Sequence, residues 1–361
     1  MTAERPLRTA DFDYLLPTDL IAQEPVAERG ESRLLVTSSE FRVPSSKVAD
    51  RLGTRNPELL DGKFADLVTM IPPDDLLVLN TTKVRHARFL GARQSGAPAE
   101  VLLIHPAQED RWIAIGKPGS ALRPGKQIRI GDDAYIETVA VLDEGYREVR
   151  FVGISAEEAI RTLGRLPLPP YIERDPTADD ETRYQTVYAE RENSVAAPTA
   201  GLHFTPALLR GIEDRGVRVA RIELEVGPGT FKPVETEDPA THPMHPEWYE
   251  IPEAAARAIG DLRARGGKLW AVGTTVVRAL ESAATDEGTV RSGRAETRLL
   301  ITPGYRFRVV DRLLTNFHLP RSTLLMLVCA FGGYDRVMAA YRHAVAARYR
   351  FYSYGDAMVI L

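Results

Sequence analysis

The chain has 361 residues, 44% of them hydrophobic and 27% charged, the composition of a globular protein long enough for two compact domains. A formal charge of −4 excludes a general nucleic-acid coat protein, whose affinity rests on neutralising phosphates with Lys and Arg. The single cysteine, Cys329, lies in an apolar run and has no disulfide partner; with no apolar leader and no apolar stretch long enough to span a bilayer, the expectation is a cytoplasmic protein.

The opening DFDYLLPTDLIAQEP (residues 11–25) sets apolar residues around Pro17 and reads as an arm packed on a core, and SRLLV (32–36) reads as a buried strand. Residues 37–63 are polar and without a period, the texture of a loop insertion. FADLVTMI (64–71) predicts a helix and DLLVLN (75–80) a core strand. After Lys83 come short β-prone runs punctuated by glycines, from ARFLGA to REVRFVG, which predict an antiparallel barrel or sandwich over residues 84–153. Ser155 with Glu158 forms a capping box for the next helix. The proline-rich LPLPPYI (166–172) leads to ETRYQTVYA (181–189). Read as a helix, this puts Arg183, Tyr184 and Tyr188 on adjoining positions, either as packing or as a face that stacks on a base or a sulfonium.

Residues 193–205, NSVAAPTAGLHFT, have too little side-chain volume to be core. Broken by Pro198 and Gly201, they suit a backbone brought close to a small ligand, with Thr199, His203 and Thr205 supplying polar groups. Thr205 as N-cap and Pro206 at the first helical position start a helix. Helices and strands then alternate: a helix from 206, a strand to 226, a helix from 252, the strand KLWAV (268–272) and a helix from Thr274. Alternation of this kind predicts a mixed-sheet α/β core, residues 1–83 plus 154–361, into which the β domain is inserted.

VGPGTFKPV (226–234) follows a strand, but its prolines preclude the helix that a dinucleotide fingerprint needs. HPMHPEWY (242–249) brings two histidines near Glu247, and its prolines deny the helical face that would favour zinc over hydrogen bonding. AVGTT (271–275) is the stronger signal. A strand ending at Gly273 and a helix beginning at Thr274 expose free N–H groups to a carboxylate or phosphate. Three apart on that helix, Arg278 and Glu281 form either an exposed ion pair or a clamp for an amino acid's carboxylate and ammonium. Residues 309–331 deliver Asn316 and His318 at the end of a strand, then a turn capped by Ser322. The last stretch, RYRFYSYGDAMVIL (348–361), sets Tyr354 beside Asp356 before a closing strand. Arginines outnumber acids between 291 and 321, Arg306 and Arg308 among them, either as solvated strand positions or as a phosphate track.

The strings APTAGLHFT, GTFKPV, HPMHPEWY, VGTTVVRALES, TNFHLPRSTLLMLV and YRFYSYGDAM occur in the order in which they stand in the S-adenosylmethionine:tRNA ribosyltransferase-isomerase family of queuosine biosynthesis. LIAQEP, SRLLV, PLPPYI and RYQTVYA extend this resemblance over most of the chain apart from residues 37–63, and the wording departs from the family at 80–82, 85–87 and 295–298. The resemblance implies an α/β core with an inserted β-barrel, no metal, and S-adenosylmethionine as co-substrate. Its ribosyl part passes to 7-aminomethyl-7-deazaguanine at the wobble position of tRNA, adenine and methionine leave, and the ribose becomes an epoxycyclopentanediol. Under it His203, His318, Glu247 and Asp356 are candidate catalytic groups. Thr199, Gly201, Tyr184, Tyr188, Gly273, Thr274, Arg278, Glu281, Asn316 and Tyr354 are candidate substrate contacts, and Arg306 and Arg308 candidate tRNA contacts. The competing classes are another S-adenosylmethionine-dependent transferase and a non-catalytic RNA-binding relative. Product analysis separates the first, since a methyltransferase releases S-adenosylhomocysteine rather than adenine and methionine.

Overall fold

A computed structural model describes residues 6–38, 59–227, 229 and 234–361. Most of the patternless stretch 37–63, and most of GTFKPV, lie outside the described residues. The end of that stretch departs from the loop expectation. β1 (Arg33–Thr37) pairs antiparallel with β2 (Leu59–Lys63), an edge strand whose LLDGK buries only Leu59 and so leaves no alternation to read. A short helix α1 (Leu67–Met70) leads to β3 (Leu76–Asn80), every residue of which is buried, as befits a strand covered on both faces. β4 (Thr82–Val84) leaves the sheet for a run of six strands: β5 (Arg88–Ala92), β6 (Pro98–Pro106), β7 (Arg111–Lys117), β8 (Gln127–Arg129), β9 (Tyr135–Val141) and β10 (Arg147–Val152). These form a separate antiparallel sheet in the order β10-β7-β6-β5-β8-β9, and β10 also pairs with β9, so the ring of hydrogen-bonded neighbours closes. Phe89, Val101, Leu103, Ala114, Ile128, Ile136 and Val149 fill its interior at alternate positions.

Ser155 caps α2 (Ala156–Thr162) by accepting from the Glu158 N–H. The expected helix over 181–189 is cut short. α3 (Asp180–Arg183) ends at Tyr184, and the β-branched Thr186 and Val187 fall in a turn before β11 (Arg191–Ser194). Tyr184 and Tyr188 therefore do not share a helical face. Thr205 caps α4 (Pro206–Asp214) with Pro206 in its first turn, as the sequence predicts. There follow β12 (Arg218–Leu224), β13 (Glu247–Ile251), α5 (Glu253–Arg265), β14 (Leu269–Val272), α6 (Thr274–Ala283), β15 (Gly293–Thr297), β16 (Arg312–Asn316), α7 (Thr323–Gly332), α8 (Tyr334–Ala346) and β17 (Ala357–Ile360).

The large sheet is mixed and nine-stranded, in the order β15-β13-β12-β3-β14-β16-β17-β1-β2. Its four central strands β12, β3, β14 and β16 run parallel. Side-chain alternation divides the core between the two faces. Leu76, Val78, Leu269, Ala271 and Leu313 meet the cluster that contains α6, α7 and α8, whereas Leu77, Leu79, Trp270, Val272 and Leu314 meet α1, α4 and Phe204. Among the described residues no single helix is long and apolar enough to cross a membrane. The parallel strands deliver Asn80, Leu224, Val272 and Asn316 to one edge. Asn80 stitches that edge together, its amide donating to the Leu224 carbonyl at 3.1 Å and accepting from the N–H of Leu224 at 3.0 Å and of Thr82 at 3.1 Å.

At the opposite edge Asp75 accepts from the Lys268 N–H and from the Trp270 indole, both at 2.8 Å, and so registers β14 against β3. Asp75→Ala leaves both donors without that acceptor and is expected to cost about 2–4 kcal/mol, read as a lowered urea midpoint with unchanged slope.

Candidate active site

Three backbone segments meet at the C-terminal ends of β14 and β16 and line a cleft: residues 197–200, 273–275 and 315–319. Crevices outside the carboxyl ends of parallel strands are where α/β sheets bind ligands. The small residues of the first segment let its backbone close over the strand ends. Gly273 makes the strand-to-helix turn at φ 93°, ψ 152°, a region open essentially to glycine alone, and its N–H bonds to the Leu314 carbonyl at 2.7 Å. α6 thus starts at the cleft with no side chain capping its first N–H groups. α7 starts there too, capped by Ser322, whose hydroxyl accepts from the Leu325 N–H at 3.1 Å and donates to the Leu319 carbonyl at 2.8 Å. Two helix N-termini give the cleft a partial positive character suited to a carboxylate.

Tyr171 and Tyr352 form the aromatic wall, their rings 4.6 Å apart and inclined at 49°. The Tyr171 hydroxyl pairs with Ser353 Oγ at 2.7 Å, and Tyr352 takes a left-handed backbone, φ 71°. Burial raises both phenols above their ordinary range. His318 is the one imidazole lining the cleft among the described residues. Its Nε2 lies 2.7 Å from Thr315 Oγ1, its N–H donates to the Tyr341 hydroxyl and its carbonyl accepts from Tyr14. Burial pushes its pKa down to about 3, so the ring is neutral.

Of the residues singled out from sequence, the cleft gathers Thr199, Gly273, Thr274, Asn316 and His318. The others lie outside its lining. His203 is buried on the far side of its loop, stacked on Phe64 at 4.9 Å, with Nδ1 2.9 Å from Ser32 Oγ and Nε2 3.2 Å from the Asn316 amide nitrogen. Gly201 faces inward rather than toward a ligand, because a Cβ there would sit 2.1 Å from the Tyr188 hydroxyl. Tyr188 packs on Phe204, and Tyr184 lies edge-on to Tyr354, so both are core rather than cleft. The Tyr354 hydroxyl donates to Asp180 at 2.6 Å. Burial alone would raise the Asp180 carboxyl, but Arg174, the Thr177 N–H and hydroxyl, and Tyr354 together hold it well below the usual range. Asp356 accepts from the N–H groups of Arg33 at 2.9 Å and Arg350 at 2.8 Å, tying β1 to the C-terminal loop; burial raises its pKa.

Arg278 and Glu281 do not pair with each other. Arg278, 5% exposed, donates to Glu247 and to the Leu299 carbonyl, while Glu281 is fully buried and accepts from the N–H groups of Arg308, Val309 and Val310 and from Tyr305. Glu247 also accepts from the Gly227 N–H at 3.1 Å. These carboxylates clasp loops. On the basic stretch Arg306 is exposed, but the Arg308 guanidinium is tied to the Glu281 carbonyl, and Arg294, Arg298 and Arg321 pair with Glu225, Glu296 and Asp13. His245 meets Glu144 at 2.8 Å; among the described residues no group of three or more ligating side chains could hold a metal. The cleft residues that the sequence reading passed over are Tyr171, Thr275, Thr315, Tyr352 and Ser353. Tyr171 lies in PLPPYI, and Tyr352 and Ser353 lie in FYSYGDAM beside the candidate Tyr354.

The sequence profile of the family described as queuosine biosynthesis protein matches residues 9–360. The chain belongs to that family. It is 48% identical over 354 residues to the S-adenosylmethionine:tRNA ribosyltransferase-isomerase of Cupriavidus pinatubonensis, covering 98% of this chain and 99% of the relative. With that of Symbiobacterium thermophilum it shares 49% identity over 359 residues, covering 98% and 100%. The crystal structure of S-adenosylmethionine tRNA ribosyltransferase from Thermotoga maritima is similar with a TM-score of 0.54 at 35% identity, over 97% of this chain and 100% of that one. Membership in this queuosine biosynthesis family makes the cleft the site to test.

Two outcomes follow from the buried groups. His203 and His318 are both held at about 3, below the unfolded value of about 6.5, so the unfolded chain takes up protons first as the solution is acidified. Stability present at neutral pH is therefore lost from about pH 6.5 downward. His203→Gln should flatten the slope of unfolding free energy between about pH 6 and pH 4 by up to about 1.4 kcal/mol per pH unit. Removing the cation of the Arg278–Glu247 pair by Arg278→Ala should cost about 2–5 kcal/mol, whereas Arg278→Met with Glu247→Leu should recover most of it, both read by chemical denaturation.

Proposed function

We propose that the cleft binds S-adenosylmethionine and transfers and isomerises its ribosyl moiety onto 7-aminomethyl-7-deazaguanine at the wobble position of tRNA, releasing adenine and methionine. The observation that carries this reading is the union, at one strand edge of a chain that matches the family over residues 9–360, of two helix N-termini, an aromatic wall and a neutral imidazole. N–H groups at the start of α6 suit the methionyl carboxylate, and the faces of Tyr171 and Tyr352 suit the sulfonium. The sulfonium acidifies the adjoining C5′–H bond. His318, neutral across the physiological range, takes that proton and, as a strongly acidic imidazolium, passes it to adenine as adenine leaves, while the acceptor amine attacks in its unprotonated form and releases its own proton to solvent. A tRNA substrate supports a cytoplasmic enzyme.

We read residues 84–153 as an inserted β-barrel domain on the core formed by 1–83 and 154–361. A wide groove runs between β5–β7 and residues 167–175, on either side of the cleft residue Tyr171; Arg88, Lys117 and Arg174 line it beside Glu100, Glu173 and Asp175, with Arg88 paired to Glu100 and Arg174 to Asp180, so that Lys117 is the cation it offers to a phosphate. It is the approach for the anticodon nucleotides, with Arg306 as a further exposed phosphate contact.

Wild-type enzyme incubated with S-adenosylmethionine and precursor-bearing tRNA is expected to release adenine stoichiometrically with modification, and S-adenosylhomocysteine as the product would overturn the reading. His318→Ala should lower single-turnover adenine release by roughly 10²–10⁴-fold with S-adenosylmethionine affinity little changed. Lys117→Glu with Arg306→Glu should weaken tRNA binding and reduce its salt dependence, leaving S-adenosylmethionine binding intact.

A further inference from the structure

The Asn316 side chain can be oriented from its protein neighbours alone. Its amide nitrogen lies 3.1 Å from the Tyr352 carbonyl oxygen, a group that only accepts, so the NH₂ faces Tyr352 and its second hydrogen goes to His203 Nε2 at 3.2 Å. That ring nitrogen is therefore the unprotonated one. The His203 proton sits on Nδ1 and is donated to Ser32 Oγ at 2.9 Å. Burial, with the positive charges of Arg350 and Arg29, keeps the ring neutral by pushing its pKa down to about 3. Phe64, stacked 4.9 Å away, fixes the plane. A neutral imidazole is well suited to this position because it donates on one side and accepts on the other within a single rigid ring.

With both amide hydrogens committed, Oδ1 is left over. Asn316 lines the cleft and is 2% exposed, and among the described residues its Oδ1 is buried with no hydrogen-bond partner. Thr275 Oγ1, in the same cleft, is likewise buried and unpartnered. Buried polar atoms left unmade are costly and uncommon, and two of them in one cleft mark the places where a ligand supplies the partner.

We infer that Asn316 Oδ1 is a fixed acceptor for a donor group of S-adenosylmethionine, and that Ser32 and His203 are positioning residues that hold the amide in this orientation. The inference rests on the reading that the cleft binds S-adenosylmethionine. The nearby start of α6 selects the α-ammonium among the ligand's donors: a carboxylate held by those N–H groups and the Thr275 hydroxyl brings the ammonium to the same end of the cleft. His203 contributes through Asn316 and touches no reacting atom.

The test uses the full-length enzyme with Asn316→Leu, His203→Phe and His203→Gln. Each is titrated calorimetrically with S-adenosylmethionine and with 5′-methylthioadenosine, which lacks the amino acid, and each is melted in parallel. Asn316→Leu and His203→Phe are expected to weaken S-adenosylmethionine binding by about tenfold or more, the loss of one charge-assisted hydrogen bond. His203→Gln, which can still accept from the amide, should restore affinity to within about threefold of wild type. Methylthioadenosine binding unchanged across the series supports the ammonium assignment; equal weakening of both ligands supports the acceptor and moves its donor to the nucleoside. Wild-type affinity in folded His203→Phe, or Gln and Phe variants alike at matched melting temperature, overturns the relay. Should His203→Phe not fold, Ser32→Ala reads the same relay, because it removes the group that holds the proton on Nδ1, and unchanged affinity there is equally fatal. If wild-type enzyme binds no S-adenosylmethionine, it is the proposed function that fails.

Discussion

The turn at Gly273 is the constraint on which the site depends. One backbone hydrogen bond to Leu314 holds β14 and β16 in step where the chain reverses from strand to helix, and the reversal is open essentially to a residue without a Cβ. The start of α6, the Thr275 hydroxyl and the end of β16 are placed relative to one another by this junction. A shift there would move Asn316 and His318 together, since Asn316 ends β16 and His318 comes two residues later. The small-residue segment 197–200 closes over the same point, and a Cβ on Gly273 would lie 3.7 Å from that of Ala200.

Around this junction the buried carboxylates act as fasteners. Glu281 gathers three successive N–H groups of the loop before β16, Asp356 joins two distant segments, and Asp180 holds Arg174, Thr177 and Tyr354. Each satisfies several donors at once, which is how a buried carboxylate avoids an uncompensated desolvation cost. Glu247 and Asp356, the acids named as catalytic candidates from sequence, are thus both occupied in the fold.

The α/β alternation, the caps at Ser155, Thr205 and Ser322, and the glycine turn at 273 were legible because each is local: a period, a cap or a steric rule written within a few residues. The strings that build the cleft were legible through family resemblance. What escaped was set by contacts distant in sequence. Nothing within residues 181–189 says that Asp180 will be captured by Arg174 and the helix stopped at Arg183, so the sequence leaves packing and stacking equally open for Tyr184 and Tyr188. The spacing of Arg278 and Glu281 is that of a helical ion pair, but each found a partner elsewhere, Glu247 being 31 positions away. Between Tyr352 and Tyr354 the choice of cleft residue turns on a left-handed backbone at the former, which sequence does not announce in a non-glycine residue.

Because the carboxylates are consumed by the frame, the described residues that line the cleft include no Asp, Glu, Lys or Arg. On the proposed reading, such a surface would hold a sulfonium by aromatic faces and fixed dipoles rather than by a counter-ion. When the donor gives up its positive charge and breaks into uncharged adenine and a zwitterionic amino acid, no opposing charge is stranded among the described residues of the cleft. The electrostatic environment is then nearly the same before and after reaction, and the products leave without an ion pair to break.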